Sequence, residues 1–180
     1  EELRAKGQRV QDALTRLGGS SVAVEEVLGA AEPLHYRNKS QYPVSADGRV
    51  GFYRARTHQV TNLDACLIQM PQADAAAGAL RFYMAKYHVP GYDEKPGTGL
   101  VRHLYVRTNA KGQSLICVVV NGEKLPREDA LVEAMRQAVR SAVGIVLNSN
   151  TRRSNVILGD QYRTLWGEDT LTDTLCGHSF

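Results

Sequence analysis

The sequence predicts an α+β fold: a mainly antiparallel sheet built from β-hairpins, with about three helices packed on it. Three observations predict it. Apolar residues recur at 3–4 spacing in three stretches, as on the buried face of a helix. Short β-rich runs come in pairs around Gly, Asn and Asp turns. Helices fall between these pairs rather than alternating with single strands, as a doubly wound parallel sheet would require.

Leu3, Gly7, Val10, Leu14 and Leu17 form the first stripe, with Arg4, Lys6, Arg9 and Arg16 opposite it and Gly18-Gly19 as the cap. Residues 36–45 and 49–54 read as two strands of one hairpin around Ala46-Asp47-Gly48. After Pro71 an Ala-rich helix runs from Gln72 to Tyr87, and a Gly/Pro loop leads to a strand at 100–107. Asn109-Ala110-Lys111-Gly112 turns that strand back into the most apolar one, Leu115 to Val120. Pro126 opens a third helix, with Glu128 and Asp129 in the first turn where the dipole favours acids. Its stripe is Leu131, Met135, Ala138, Val139 and Ala142. Short strands are expected near 144–148, 155–158, 162–166 and 170–175, and Trp166 is expected in the core.

The chain has 180 residues, 43% hydrophobic and 23% charged, with a net charge of +3. It is long enough to bury a sizeable core, and too apolar and too weakly charged for a disordered tail. No stretch approaches the ~20 apolar residues of a bilayer crossing, so no membrane partner is expected. The opening Glu1-Glu2-Leu3-Arg4 lacks the pattern of a signal peptide, and the missing initiator Met suggests an excised segment. Cys66, Cys117 and Cys176 are too few and too far apart for a disulfide framework, which fits a reducing, cytoplasmic setting.

Charge is uneven. Between Leu34 and Asn62, Arg37, Lys39, Arg49, Arg54 and Arg56 face one acid, Asp47, and a second cluster holds Arg152, Arg153 and Arg163. Tyr36, Tyr42, Phe52 and Tyr53 are interleaved with the first cluster. Arginine forks suit phosphate and aromatic faces suit unstacked bases, so single-stranded RNA fits this pattern. A solvated basic face, with Tyr42 and Phe52 turned into the core, is the competing reading.

Other local signals carry little. Gly97-Thr98-Gly99 precedes a strand, where a dinucleotide loop follows one and opens a helix. His35, His58, His88, His103 and His178 include no i, i+4 pair, and no Cys-x-x-Cys, His-Glu-x-x-His or Gly-x-Ser-x-Gly occurs. Asp93, Glu94 and His103 remain an acid/base set for a small-molecule enzyme.

A more specific pattern starts at Tyr36-Arg37-Asn38-Lys39-Ser40-Gln41-Tyr42-Pro43-Val44. With Gly51-Phe52-Tyr53, His58-Gln59-Val60, Cys66-Leu67-Ile68-Gln69 and Tyr92-Asp93-Glu94 it resembles the RNA (uracil-5-)-methyltransferases. Further along, Gly99-Leu100-Val101-Arg102-His103-Leu104-Tyr105-Val106-Arg107, Asn148-Ser149-Asn150, Asn155-Val156-Ile157-Leu158-Gly159 and Asp173-Thr174-Leu175-Cys176-Gly177 follow in the family's order. The large-subunit ribosomal RNA branch looks closer than the transfer RNA branch.

The resemblance implies the central segment of such an enzyme. In the family a cysteine thiolate adds to C6 of a flipped uracil, and C5 then takes the methyl group of S-adenosylmethionine to give 5-methyluridine. The cofactor, the nucleophile and the base belong to a later domain, so no catalytic residue is expected here. The segment would hold RNA through Arg37, Lys39, Arg54 and Arg56, and secondarily through Arg152 and Arg153. Cys66 resembles the remote fourth ligand of the family's 4Fe-4S cluster, with a small buried apolar residue as the alternative. No cofactor is expected in the chain itself.

The implied organisation is a helix at 1–19 that packs on the catalytic domain, an RNA-binding α+β domain at 20–167, and a connection at 168–180. An exposed first helix would allow a dimer of the segment. A free-standing RNA-binding module without methyltransferase activity is the alternative.

Overall fold

The computed structural model describes residues 1–180, which divide into two compact units, Glu1–Pro33 and Leu34–Phe180. In the first unit, helix α1 (Glu2–Asp12) widens into one π-helical turn, Ala13–Leu17, and Gly19 ends it at φ +60°. The chain then folds back along the helix: Gln11 donates to the Val22 carbonyl (3.1 Å) and accepts from the Val24 amide (2.7 Å). No residue of the helix is buried, and Leu17 is 88% exposed.

The second unit is built on a five-stranded sheet. Its strands are β1 (Lys39–Pro43), β4 (Val101–Thr108), β5 (Ser114–Val120), β6 (Ala142–Ser149) and β7 (Gln161–Gly167), in the spatial order β1-β4-β5-β6-β7. Every neighbouring pair is antiparallel except β5–β6, which is parallel and joined through α3 (Glu128–Ala138). The sheet is therefore mixed, and α+β as expected. Two short ribbons accompany it: β2 (Gly51–Tyr53) with β3 (Val60–Asn62), and β8 (Thr174–Leu175) with β9 (His178–Ser179).

Helix α2 (Pro71–Lys86) starts with a proline, whose missing N–H costs nothing at the first helical position. Its alanines let it lie close to the sheet while Leu80, Tyr83 and Met84 fill the space beside them. Leu131 and Met135 of α3 join the same core with Tyr42, Leu104, Ile116, Val118, Ile145 and Leu147. One sheet face thus packs under α2 and α3, and this core closes entirely within residues 34–180. Glu128 fixes the entry to α3, accepting from the Leu125 amide (2.9 Å) and pairing with Arg163 of β7 (2.6 Å).

The expected hairpin of 36–45 with 49–54 is not what forms. Its turn is present, with Ser45 and Arg49 joined N–H to C=O at 2.9 Å and an isolated bridge between Val44 and Val50. Beyond that bridge the arms part. Strand β1 pairs with β4, Lys39 opposite Arg107 and Tyr42 opposite Leu104, while β2 pairs with β3. The apolar side of β1 gains more by joining the large sheet than by pairing with a three-residue arm. Gly51 lets β3 approach: a Cβ there would stand 1.9 Å from the Thr61 carbonyl oxygen. Residues 155–158 form no strand, and Ala142 belongs to β6 rather than to the stripe of α3.

Candidate functional site

The part of β4 that matters most is irregular. Val101 pairs with Val120 and His103 with Val119, so Arg102 is an extra residue, a β-bulge. Bulges turn side chains away from the strict alternation of a strand. Here Arg102 and His103 both line one cavity of about 670 Å³, together with Tyr53, His58, Tyr92 and Glu94. Arg102 is nearly enclosed, its guanidinium carbon 4.5 Å from the centre of the Tyr92 ring. Burial, assisted by the neighbouring Arg102 charge, pulls His103 down to about 4, so its ring is neutral near pH 7. At the rim, Tyr53 and His58 lie ring to ring at 5.5 Å, and His58 meets Glu94 at 3.1 Å.

The four leading cations sit in two places rather than on one hairpin. Arg37 is held by backbone pairing with the segment before α2, its amide donating to the Ile68 carbonyl at 2.9 Å. Lys39 opens β1, and its partner across the sheet is Arg107. All three side chains are exposed. Arg54 and Arg56 lie in the β2–β3 loop, also exposed, with Arg56 at φ +60°. None of Arg37, Lys39, Arg54, Arg56 and Arg107 forms an ion pair, whereas Arg49 is paired with Asp47 at 2.9 Å.

The side chains of the second cluster are exposed and each has a partner within the chain. Arg152 pairs with Asp160, Arg153 donates to the Pro96 carbonyl, and Arg163 is bound to Glu128. Arg107 and Arg102 are the basic residues that sequence reasoning passed over. The repeated Arg spacing along 102–107 was visible, but the pairing with β1 and the bulge that give these residues their setting are not local signals.

Tyr42 points into the core, its hydroxyl donating to Asp74 at 2.7 Å, and Phe52 packs against it with ring centres 5.1 Å apart. Tyr36 and Tyr53 remain exposed. Trp166 is only partly buried and stacks under Arg136 at 4.5 Å.

Of the cysteines, Cys117 is buried, which pushes its thiol up to about 12, and Cys176 lies exposed in the β8–β9 turn. Cys66 is half-buried, its amide donating to Asp74 at 2.8 Å. No group of three or more His, Cys, Asp or Glu is placed to hold a metal ion. A single thiol does not hold an iron–sulfur cluster, which takes four cysteine thiolates. No helix is long and apolar enough to cross a membrane.

No protein-family profile matches the chain. Curated proteins do. An uncharacterized RNA methyltransferase of Clostridium tetani is 40% identical over 184 residues, covering 100% of this chain and 40% of that protein. Others of the same description, from Clostridium acetobutylicum and Streptococcus agalactiae, are 35% and 38% identical over 96% and 100% of the chain. The chain is homologous to a segment of proteins named RNA methyltransferases. It spans about two fifths of these relatives, 39% to 41% of their length. The fold agrees with a solved structure, the Pyrococcus abyssi tRNA (uracil-54, C5)-methyltransferase in complex with S-adenosyl-L-homocysteine. That likeness has a TM-score of 0.75 and 17% identity over 99% of this chain and 41% of that one.

Proposed function

We propose that the chain is the RNA-holding segment of an S-adenosylmethionine-dependent RNA uracil-5-methyltransferase that forms 5-methyluridine, with large-subunit ribosomal RNA as its substrate. The observation that carries the RNA-holding role is the pair Lys39 and Arg107. Like charges directly opposite each other weaken a sheet, and neither cation is held in an ion pair; the Asp173 carboxylate acts on Arg107 only from beyond ion-pair distance. A phosphate lying across the pair would turn that repulsion into attraction. Arg37 extends the same cationic edge, and Arg54 and Arg56 offer a second hold. Homology to RNA methyltransferases over the whole chain supports the reaction class.

The chemistry then belongs to other parts of the protein. Methylation at C5 needs a thiolate adding to C6, and Cys117 is a poor candidate because burial keeps it protonated near neutral pH. Cys176 stands in the exposed turn of a two-strand ribbon, outside any cavity that could hold a base out of water. In this reading the segment grips the strand while the reacting uracil is presented elsewhere.

The test is methyl transfer by the complete gene product from S-adenosylmethionine to large-subunit ribosomal RNA, with 5-methyluridine identified by mass spectrometry. Absence of 5-methyluridine, or methylation of a different base, would overturn the reading. A transfer RNA substrate is the second reading, favoured by the named substrate of the Pyrococcus abyssi enzyme, and the same assay on transfer RNA transcripts separates the two.

A further inference from the structure

The cavity beside the β4 bulge contains a cation without a counter-ion. Arg102 is 5% exposed and forms no ion pair. Its Nη1 donates to the carbonyls of Asn150 (2.6 Å) and Arg152 (2.8 Å), and its Nε is enclosed with no partner. Carbonyl dipoles and the Tyr92 ring share the charge but do not neutralise it, and a buried ion is ordinarily matched by an opposite one.

The carboxylates on the cavity wall are engaged elsewhere: Asp47 with Arg49 at 2.9 Å, Glu94 with His58 at 3.1 Å, and Asp93 with the Lys95 amide at 3.0 Å. The Nδ1 of His103 is likewise enclosed and unpartnered. Because the ring is neutral near pH 7, it offers one donor and one acceptor. An anion with a planar, hydrogen-bonding, stackable group attached would meet all of these features. The volume of about 670 Å³ lies within the ~300–1,000 Å³ of small-ligand sites.

We propose that this cavity takes a single nucleotide, unstacked from the RNA, with its phosphate against Arg102 and its base against Tyr53 and His103. The proposal rests on the RNA reading above and adds to it a specific docking point, beside the β2–β3 loop that carries Arg54 and Arg56. Phosphate supplies the missing negative charge, and the aromatic rim suits the face of a base. A carboxylate side chain from a protein partner would satisfy Arg102 but leave the rim and His103 unused.

The test uses the 180-residue chain, whose core is self-contained. Nuclear magnetic resonance follows the Arg102 Nε–H and the His103 ring, the former assigned by its loss in Arg102→Lys. The probes are the four ribonucleoside 5′-monophosphates, uridine, and N-acetylglutamate. At least one monophosphate is expected to shift both signals, with uridine binding about tenfold weaker or worse for want of the phosphate. Tyr53→Ala, at an exposed rim position, is expected to weaken the monophosphate by about tenfold while the free-state Arg102 signal stays in place.

Unmoved signals at millimolar monophosphate would overturn the proposal, as would equal shifts from N-acetylglutamate. Binding of a single-stranded ribo-oligonucleotide, measured in parallel, separates the two readings. An oligonucleotide that binds while monophosphates leave Arg102 unmoved sinks the pocket and spares the RNA reading. Monophosphates that bind with no oligonucleotide affinity sink the RNA reading and the proposal together.

Discussion

At the scale of single residues, position decides which charges are free to act. Arg56 is exposed and holds φ +60°, a conformation that costs an ordinary side chain roughly 1 kcal/mol and glycine almost nothing. Arg56→Gly is therefore expected to leave the protein as stable or up to about 1 kcal/mol more stable by urea titration, while weakening RNA binding. Loss of both stability and binding would mean the side chain is structural. His103 gives a pH signature. Its folded value is about 4 against an ordinary 6.5, so only the unfolded chain takes up a proton between them. Stability is full above pH 6.5 and falls as pH drops toward 4, by about 2–3 kcal/mol, and His103→Gln should flatten that part of the profile. The cations of 37–56 were legible in the sequence because composition alone exposes them. Arg102 was not, because its meaning comes from burial and from a bulge set by pairing with β5.

Among the elements, those defined by local pattern were readable and those defined by distant pairing were not. Helices α2 and α3 and strands β4 and β5 follow from periodicity, a leading proline and turn residues. The turn at Ser45–Arg49 was also read correctly, yet nothing within ten residues says that β1 will prefer β4 to β2. The packing of α2 supplies a check. Leu80 is fully buried against the sheet, so Leu80→Ala should cost about 2–5 kcal/mol in chemical denaturation. Leu17→Ala, at an almost fully exposed position of the first unit, should change stability by less than about 0.5 kcal/mol. A large effect there would mean that Leu17 is covered in solution.

For the molecule as a whole, a net charge of +3 cannot attract RNA broadly, so the RNA binding proposed above requires a patch. With four phosphates neutralised on a single strand, log affinity should fall against log salt with a slope of about −3. Replacing Arg37 and Lys39 together by Ala should reduce that slope to about −1.5; an unchanged slope would place the contacts elsewhere. The same global view bears on how the protein is made. Strand β1 is synthesised first, but its hydrogen-bonding partner β4 follows only roughly 60 residues later, several seconds at ribosomal speeds of about 5–20 residues per second. During that interval Tyr42 and Val44 have Phe52, Val50 and α2 beside them but lack the sheet that completes their burial, and nascent chains stalled before Val101 should be the ones that chaperones retain.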